Sequence, residues 1–198
     1  MKKLLITGFE PFGNCSKNPS HMAVEALPER VGEYELKKQM LPTVFGKAAE
    51  AVLETAKIWE PDVILCVGQA GGRDAVTPER IAVNIRDARI PDNAGNQPVG
   101  EFVVPEGPAA YFATVPVMQM AQAIRDRQIP ASVSNTAGAY VCNDTLYTLL
   151  HTYAGSKTRV GFIHVPNIPE IGEPSLPLEK IVAALIAAIE NLDQGEAL

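Results

Sequence analysis

The chain has 198 residues, 46% of them hydrophobic and 20% charged, with a formal net charge of −6. These are ordinary values for a single globular domain that buries a sizeable core, and the acidic balance without a basic stripe excludes a nucleic-acid partner. No apolar run is long enough to span a bilayer, and three cysteines with neither disulfide spacing nor an export signal predict a cytoplasmic protein.

Apolar residues recur with strand and helix periods in turn. The first strand is predicted over 2–7, and Asn18-Pro19-Ser20 supplies an N-cap and a first-turn proline for a helix that runs to Leu27. The further predicted strands lie at 34–41, 63–67, 81–85, 131–134 and 159–165. The further predicted helices lie at 44–59, 117–127, 143–153 and 178–192. The polar segment 86–100 is too irregular for either, and 101–112 is apolar and hairpin-like.

This alternation predicts an α/β fold. We expect a single catalytic domain over 1–198, with a twisted, mostly parallel sheet and helices on both faces. Ligand sites in such sheets lie beyond the carboxyl ends of the strands. The loops at Gly8, Gly68 and Asn135 and the one after Val165 all follow predicted strands. They should therefore converge on one crevice.

A cysteine and a histidine stand at the ends of neighbouring elements. Cys142 follows a loop of small residues and opens a predicted helix, and His164 closes a predicted strand. The partial positive charge of a helix N-terminus favours thiolate over thiol, and an adjacent imidazole would favour it further. The two residues form a candidate nucleophile and base. Single Cys/His pairs also recur by chance, so their spacing alone leaves catalysis open.

The remaining cysteines and histidines favour simpler interpretations. Cys66 lies inside a wholly apolar strand and is predicted to be an inert buried residue, whereas Cys15 is predicted to be an exposed thiol in a polar loop. His21 and His151 fall near helix ends, where they are structural or solvated. No compact cluster of ligands indicates a zinc site.

Two glycine-bearing loops and one acid admit more than one interpretation. The loop 8–13 lacks the lysine of a phosphate-binding loop, and 68–72 does not fit the dinucleotide fingerprint, so we do not expect nucleotide binding. Phe9 and Phe12 in the first loop are either walls of a small apolar pocket or core residues. Glu79 is either a surface acid or the third member of a triad that orients His164, and spacing cannot choose between them.

Several of these segments together resemble one family. The chain closely resembles the pyroglutamyl peptidase I family of cysteine peptidases, also called pyrrolidone-carboxylate peptidases, from its beginning almost to the last predicted helix. The segments that carry the resemblance are 7–13, 18–20, 41–43, 68–73, 79–84, 89–92, 134–144 and 161–166. Their number and order make coincidence an inadequate explanation.

The resemblance implies an enzyme that hydrolyses N-terminal pyroglutamate from peptides through a thioester. It implies Cys142 as nucleophile, His164 as general base and acid, and Glu79 as the orienting carboxylate. It also implies a substrate pocket walled by Phe9, Phe12, Thr43, Ile90, Tyr140 and Val141. Asn18 and the Gln69 backbone would contact the lactam, and Arg89 would help to hold the oxyanion beside the Cys142 N–H. No metal or cofactor is required, and a homotetramer is implied.

The chemistry of the substrate agrees with such a pocket. Pyroglutamate is a neutral lactam without a free α-amine, so its pocket needs apolar walls and a few hydrogen-bonding groups. Two other functions stay open at this point. One is a nucleoside phosphorylase or hydrolase of similar fold, and the other is a binding module without turnover. The apolar segment 101–112 is either a strand pair on the core or a contact surface between subunits.

Three positions depart from the family's pattern. Tyr140 stands where phenylalanine is common, so its hydroxyl needs a partner or water. Cys15 is an additional cysteine at an unfamiliar place, and Asn167 follows Val165-Pro166 where an apolar or aromatic residue is usual.

Overall fold

The computed structural model describes residues 1–13 and 15–195. The strands are β1 (Lys2–Phe9), β2 (Arg30–Val31), β3 (Tyr34–Leu41), β4 (Val63–Gln69), β5 (Thr77–Pro78), β6 (Ile81–Val83), β7 (Ala110–Phe112) and β8 (Arg159–Val165). The helices are α1 (Pro19–Ala26), α2 (Lys47–Trp59), α3 (Val117–Asp126), α4 (Val141–Thr152) and α5 (Leu178–Glu190). None of the described helices is both long enough and apolar enough to pass through a membrane.

The main sheet has the strand order β2-β3-β1-β4-β8-β5. Its four central strands, β3, β1, β4 and β8, are parallel to one another, and the two-residue strands β2 and β5 pair antiparallel at its edges. A separate antiparallel pair joins β6 to β7. The central strands β1, β4 and β8 are almost continuously apolar and buried, as expected for strands covered on both faces.

Successive side chains of the central strands pack on opposite faces of the sheet. Leu4 and Leu65 belong to a core with α1, α3 and α5, whereas Leu5 and Cys66 belong to a second core with α2 and α4. The period of two along each strand separates these sets. The prediction of an α/β domain with a mostly parallel sheet and helices on both faces is confirmed.

The predicted boundaries hold best for the long elements. β1 and β4 each run two residues further than predicted, to Phe9 and Gln69, and α4 begins at Val141, so Cys142 is its second residue. The predicted strand at 131–134 makes only isolated bridges to residues 76 and 79. The two-residue strands β2 and β5 carry too little periodicity to be predicted.

The predicted hairpin at 101–112 is wrong. Its last residues, β7, pair with β6 instead, and Glu101 bridges to Arg86. Pro105 and Pro108 lack the N–H groups that a hairpin ladder needs. The Asn84 side chain instead accepts from the Val104 N–H at 2.9 Å and donates to the Val104 carbonyl at 2.7 Å.

Candidate active site

The carboxyl ends of β4 and β8 and the start of α4 meet at one cavity of about 660 Å³. Its walls come from the loop 69–73, the segment 136–140, Phe12, Asp87, Arg89, Ile90, Cys142 and His164. The predicted convergence of loops thus brings the cysteine and the histidine to the same cavity.

The Cys142 thiol lies against a glycine of the sheet. A Cβ built on Gly68 would come within 2.9 Å of Cys142 Sγ and 2.8 Å of Phe162 Cζ, so only glycine leaves room for the thiol here. Gly68 pairs in register with His164 on the neighbouring strand. As the second residue of α4, Cys142 carries a backbone N–H that has no acceptor within the helix.

The resting form of this cysteine is the thiol. Burial raises the pKa of Cys142 to about 12, and the negative charge of Glu79 adds to the effect. The sequence predicted instead that the helix N-terminus and a nearby imidazole would favour the thiolate. Attack by this sulfur on a substrate would require a base to remove its proton.

Glu79 and His164 form a buried pair. His164 Nδ1 lies 2.7 Å from Glu79 Oε1, and Glu79 is fully buried. Burial acts to raise the pKa of Glu79, but hydrogen bonds with His164, Ser134 and Arg73 lower it overall, so the group is ionised. An ionised carboxylate only accepts hydrogen bonds, so Nδ1 carries the proton and Nε2 is free to act as a base. The interpretation of Glu79 as a surface acid is wrong, because burial and this contact exclude it.

The His164 ring is neutral at neutral pH. Burial lowers the pKa of His164, and the hydrogen bond with Glu79 opposes this without reversing it. The ring is tilted against Phe162, with 4.8 Å between the ring centroids. In the part of the chain that the structure describes, no hydrogen bond joins the Cys142 thiol to the His164 ring. The two groups share the cavity as a neutral thiol and a neutral imidazole.

Arg73 is a residue of the candidate site that the sequence reasoning missed. Its Nη1 donates to Glu79 Oε1 at 2.6 Å, and its Nη2 donates to the Thr136 carbonyl at 2.9 Å. This hydrogen bond helps His164 to keep Glu79 ionised, and the two contacts tie the loop after β4 to the loop before α4. The available signal was an arginine at the end of a glycine-rich loop, six residues before a buried acid.

The predicted pocket residues divide into two groups. Phe12, Gln69, Arg89, Ile90 and Tyr140 line the cavity. The others are buried behind it, with at most 3% of each residue exposed: Phe9, Asn18, Thr43 and Val141. Contacts between this second group and a substrate stay predictions.

Two of the buried group support the loop after β1. Asn18 Oδ1 accepts from the backbone N–H of Ser20 at 3.0 Å, and Asn18 Nδ2 donates to the Glu10 carbonyl at 3.1 Å. Thr43 Oγ1 donates to the same carbonyl at 3.1 Å. These side chains therefore hold the turn that presents Phe12.

Asn167 has a clear structural place. Its Oδ1 accepts from Gln69 Nε2 at 2.8 Å, and its Nδ2 donates to the Gly71 carbonyl at 3.2 Å. Only 8% of Asn167 is exposed. The residue that departs from the family's pattern thus supports the loop after β4, which forms one wall of the cavity.

A buried acid two residues after the cysteine ties further loops to α4. Asp144 Oδ1 accepts from Arg86 Nε at 2.6 Å, and its Oδ2 accepts from the Gly46 N–H at 2.8 Å. The sequence reasoning also missed this residue. An aspartate in the first turn of a helix resembles an ordinary favourable contact with the helix dipole, so no pattern distinguishes it.

The other two cysteines lie outside the cavity walls. Cys66 is fully buried in the second core, where burial raises the pKa of its thiol to about 12. Cys15 is exposed. All three cysteines are free thiols.

Known proteins with similar sequences and structures share one description. Residues 2–194 match the pyroglutamyl peptidase family. The pyrrolidone-carboxylate peptidase of Levilactobacillus brevis is 51% identical over 197 residues, covering 96% of this chain and 97% of the relative. The pyrrolidone-carboxylate peptidase of Staphylococcus aureus (strain Newman) is 48% identical over 202 residues, covering 98% of this chain and 95% of the relative.

Solved structures agree with this match. The crystal structure of pyroglutamyl peptidase I from Bacillus amyloliquefaciens superposes with a TM-score of 0.94 at 44% identity, covering 98% of both chains. The pyrrolidone carboxyl peptidase from Thermococcus litoralis superposes with a TM-score of 0.93 at 36% identity, covering 100% of this chain and 98% of the other.

Proposed function

The chain belongs to the pyroglutamyl peptidase family and is a cysteine-type pyroglutamyl peptidase, and we propose that Cys142 is its nucleophile, His164 its general base and acid, and Glu79 the carboxylate that orients His164. The observation that carries this assignment is the buried 2.7 Å contact between His164 and Glu79, beside the cavity that also holds the Cys142 thiol. The same arrangement of nucleophile, base and orienting acid recurs on unrelated folds.

The first half of the reaction forms a thioester. His164 Nε2 takes the proton from Cys142 Sγ as the sulfur attacks the carbonyl carbon of the pyroglutamyl residue. The ionised Glu79 stabilises the imidazolium that results. The carbon–nitrogen bond then breaks, and Nε2 gives its proton to the leaving amine of the shortened peptide.

The second half releases pyroglutamate. Water attacks the thioester carbon while His164 Nε2 accepts its proton. The carbon–sulfur bond breaks, the sulfur recovers a proton, and pyroglutamate leaves as the free acid. Because the thiol and imidazole start neutral, each half-reaction creates and then removes one ion pair in the cavity.

The oxyanion of both tetrahedral intermediates needs hydrogen-bond donors. The free N–H of Cys142 at the start of α4 is one, and the positive end of the helix points the same way. Arg89 at the cavity wall is the proposed second donor. Such donors act only when charge develops on the substrate, so they lower the barrier rather than tighten substrate binding.

The walls of the cavity suit a neutral ring. Phe12, Ile90 and Tyr140 offer apolar surface for the lactam, and the Gln69 backbone offers polar contacts. A glutamyl or glutaminyl terminus carries an ammonium group that this apolar wall would leave unpaired, which costs binding energy. The apolar side chains of Phe12, Ile90 and Tyr140 therefore favour the neutral lactam over a charged terminus.

Hydrolysis of a chromogenic pyroglutamyl amide, beside the prolyl, glutamyl and glutaminyl amides, tests this function. We expect turnover of the pyroglutamyl amide alone. Cys142→Ala should lower kcat/KM by at least about 10³-fold, and His164→Ala nearly as much, because members of such a unit do not act additively. Glu79→Gln should lose less, and Cys15→Ser should change little. Near-full activity in folded Cys142→Ala protein would overturn the mechanism.

We also propose that the chain forms a homotetramer and works in the cytoplasm. Support for self-association comes from exposed apolar side chains around β6 and β7: Phe102 is 64% exposed, Phe112 54% and Met118 48%. Apolar surface of this kind marks interfaces. Support for a reducing compartment comes from the free thiols and from a mechanism that needs one of them.

A further inference from the structure

One short segment of the cavity wall is fastened at both ends. Residues 87–91, called the arch here, carry Arg89 and Ile90 into the cavity wall. At one end the Asp87 N–H donates to the Ala139 carbonyl at 2.9 Å. At the other end the Tyr140 hydroxyl donates to the Pro91 carbonyl at 3.0 Å. Both anchors are consecutive residues immediately before α4, the helix that presents Cys142.

The Tyr140 ring is itself held in place. It meets the Phe45 ring edge-on, with 5.3 Å between the centroids and an interplanar angle of 85°, and it packs against Phe12 at 6.2 Å. The Phe45 N–H donates to Asp92 Oδ2 at 2.9 Å, so the residue after Pro91 supports the same ring. The hydroxyl therefore reaches Pro91 from a ring that contacts on two sides have oriented.

The hydroxyl keeps its proton under working conditions. Burial raises the pKa of Tyr140, and the nearby charge of Asp92 adds to this effect. A protonated phenol can donate to a carbonyl, whereas a phenolate could only accept. Phenylalanine at this position would keep the ring contacts but would remove the donor to Pro91.

We propose that the Tyr140 hydroxyl is a positioning group for substrate binding, because it fastens the arch and so holds Arg89 and Ile90 in place relative to Cys142. This inference rests on the proposed function, since it assigns the arch to the pyroglutamate pocket. The hydroxyl does not touch the reacting atoms. Because the hydroxyl holds the arch in place before the substrate binds, less of the binding free energy is lost in ordering this segment.

Tyr140→Phe tests the proposal by its kinetic signature. One hydrogen bond of this kind corresponds to a rise in KM of about 3- to 10-fold, with kcat within about twofold of the wild type. Tyr147→Phe is the matched control, because the Tyr147 hydroxyl, on α4, also donates to a proline carbonyl, that of Pro108 at 2.6 Å. Tyr147 is not part of the cavity wall, so KM should not change. Tyr34→Phe, which removes a hydroxyl that donates to Asp193 Oδ1 at 2.9 Å outside the cavity wall, serves the same purpose should Tyr147→Phe fail to fold.

Limited trypsin cleavage between Arg89 and Ile90 tests the arch without any turnover. Cleavage requires local opening of the segment, so its rate follows the population of the open arch. We expect faster cleavage at this bond in Tyr140→Phe, by a factor of about 3 to 10, and wild-type rates in the control variants. Mass spectrometry of the two fragments identifies the site.

The outcomes separate the two claims. Unchanged KM and unchanged cleavage in Tyr140→Phe would overturn the positioning role, as would an equal rise of KM in the controls. If the wild type does not hydrolyse the pyroglutamyl amide, the proposed function fails, and with it the arch's role in a pyroglutamate pocket. The cleavage rates would then still show whether Tyr140 fastens the arch.

Discussion

At His164, two opposing effects set the protonation state. Burial lowers the pKa of the imidazole, and the charge of Glu79 raises it, with burial the larger effect. The ring is therefore neutral at neutral pH and able to accept a proton. The positive charge of Arg73 also lowers the His164 pKa directly, and its hydrogen bond helps to keep Glu79 ionised.

We expect kcat/KM to fall as the pH decreases through the His164 pKa, with an acid midpoint below the ordinary value of 6.5. Protonation of His164 removes the base, so activity is present above the midpoint and lost below it. The charge of Glu79 raises the His164 pKa, so Glu79→Gln should move the midpoint to lower pH still. A pH profile of kcat/KM for both proteins measures this. A wild-type midpoint clearly above 6.5 would contradict the assignment of a buried neutral base.

Gly68 makes the second prediction at the residue level. In Gly68→Ala the new methyl group would lie 2.9 Å from Cys142 Sγ and 2.8 Å from Phe162 Cζ. We expect kcat to fall at least about tenfold, because a displaced nucleophile no longer meets the substrate carbon correctly. The side-chain and backbone shifts that relieve this clash should also lower the unfolding free energy by about 1–3 kcal/mol.

Gly161→Ala is the control for this substitution. Its methyl group would clash with Val115 rather than with the cysteine. Both variants should unfold at lower temperature in a thermal melt, but only Gly68→Ala should lose turnover per folded molecule. An equal loss of kcat in both would mean that general destabilisation, not the position of the thiol, explains the effect.

At the level of elements, the end of β8 supports the end of β4. Asn167 lies just beyond β8 and hydrogen-bonds to Gln69 and Gly71 at the end of β4. The two strands are neighbours in the sheet, so their loops leave it side by side. A single amide side chain after β8 therefore satisfies two groups at the end of β4.

Asn167→Ala should therefore loosen one wall of the cavity. We expect a loss of about 1–3 kcal/mol of unfolding free energy, because two hydrogen bonds, to the partly buried Gln69 side chain and to the Gly71 carbonyl, are lost. KM for a pyroglutamyl amide should rise. Asn191→Ala removes a comparable contact, from Asn191 Nδ2 to the Ala187 carbonyl at 2.9 Å, far from the cavity. Thermal melts measure the loss of stability in both variants, and Michaelis–Menten kinetics measure the change in KM. An unchanged KM in Asn167→Ala would show that the loop after β4 does not need the Asn167 side chain for substrate binding.

For the whole molecule, the exposed apolar side chains around β6 and β7 are the main unexplained surface. Phe112 pairs with Ile81 across the two strands, and Met118 lies against Arg80. Alternate residues of this strand pair, Ala82 and Tyr111, pack on the second core instead. One face of the pair is thus covered by the domain, and the other contributes apolar surface to solvent.

Light scattering tests whether this surface joins subunits. The wild type at micromolar concentration should have about four times the 21.3 kDa mass of one chain. Phe112→Asp should lower the mass, since a buried unpaired charge opposes association. Ile58→Asp is the control, because Ile58 is 84% exposed on α2, away from β6 and β7. A monomeric wild type would exclude the tetramer.

The long elements and the family could be read from the sequence alone. Continuous apolar runs at β4 and β8 and helical periodicity in α2, α3 and α5 depend on local patterns that burial in a two-faced sheet imposes. The family was recognisable because several separate segments, among them those around Cys142 and His164, matched in order. The placement of Cys142 and His164 at one cavity could also be predicted, because the carboxyl ends of parallel strands lie at the same edge of a sheet.

Tertiary structure alone decided what depends on contacts between distant segments. Glu79 could be a surface acid or an orienting carboxylate until its burial against His164, 85 positions away, was known. The protonation of Cys142 followed from desolvation, which no local motif encodes. The partner of the Tyr140 hydroxyl, 49 positions away at Pro91, and the contacts of Asn167 likewise exist only in the folded chain. Apolar periodicity indicates which face of an element is buried. Which residue of another element that face contacts is determined only when the elements pack together.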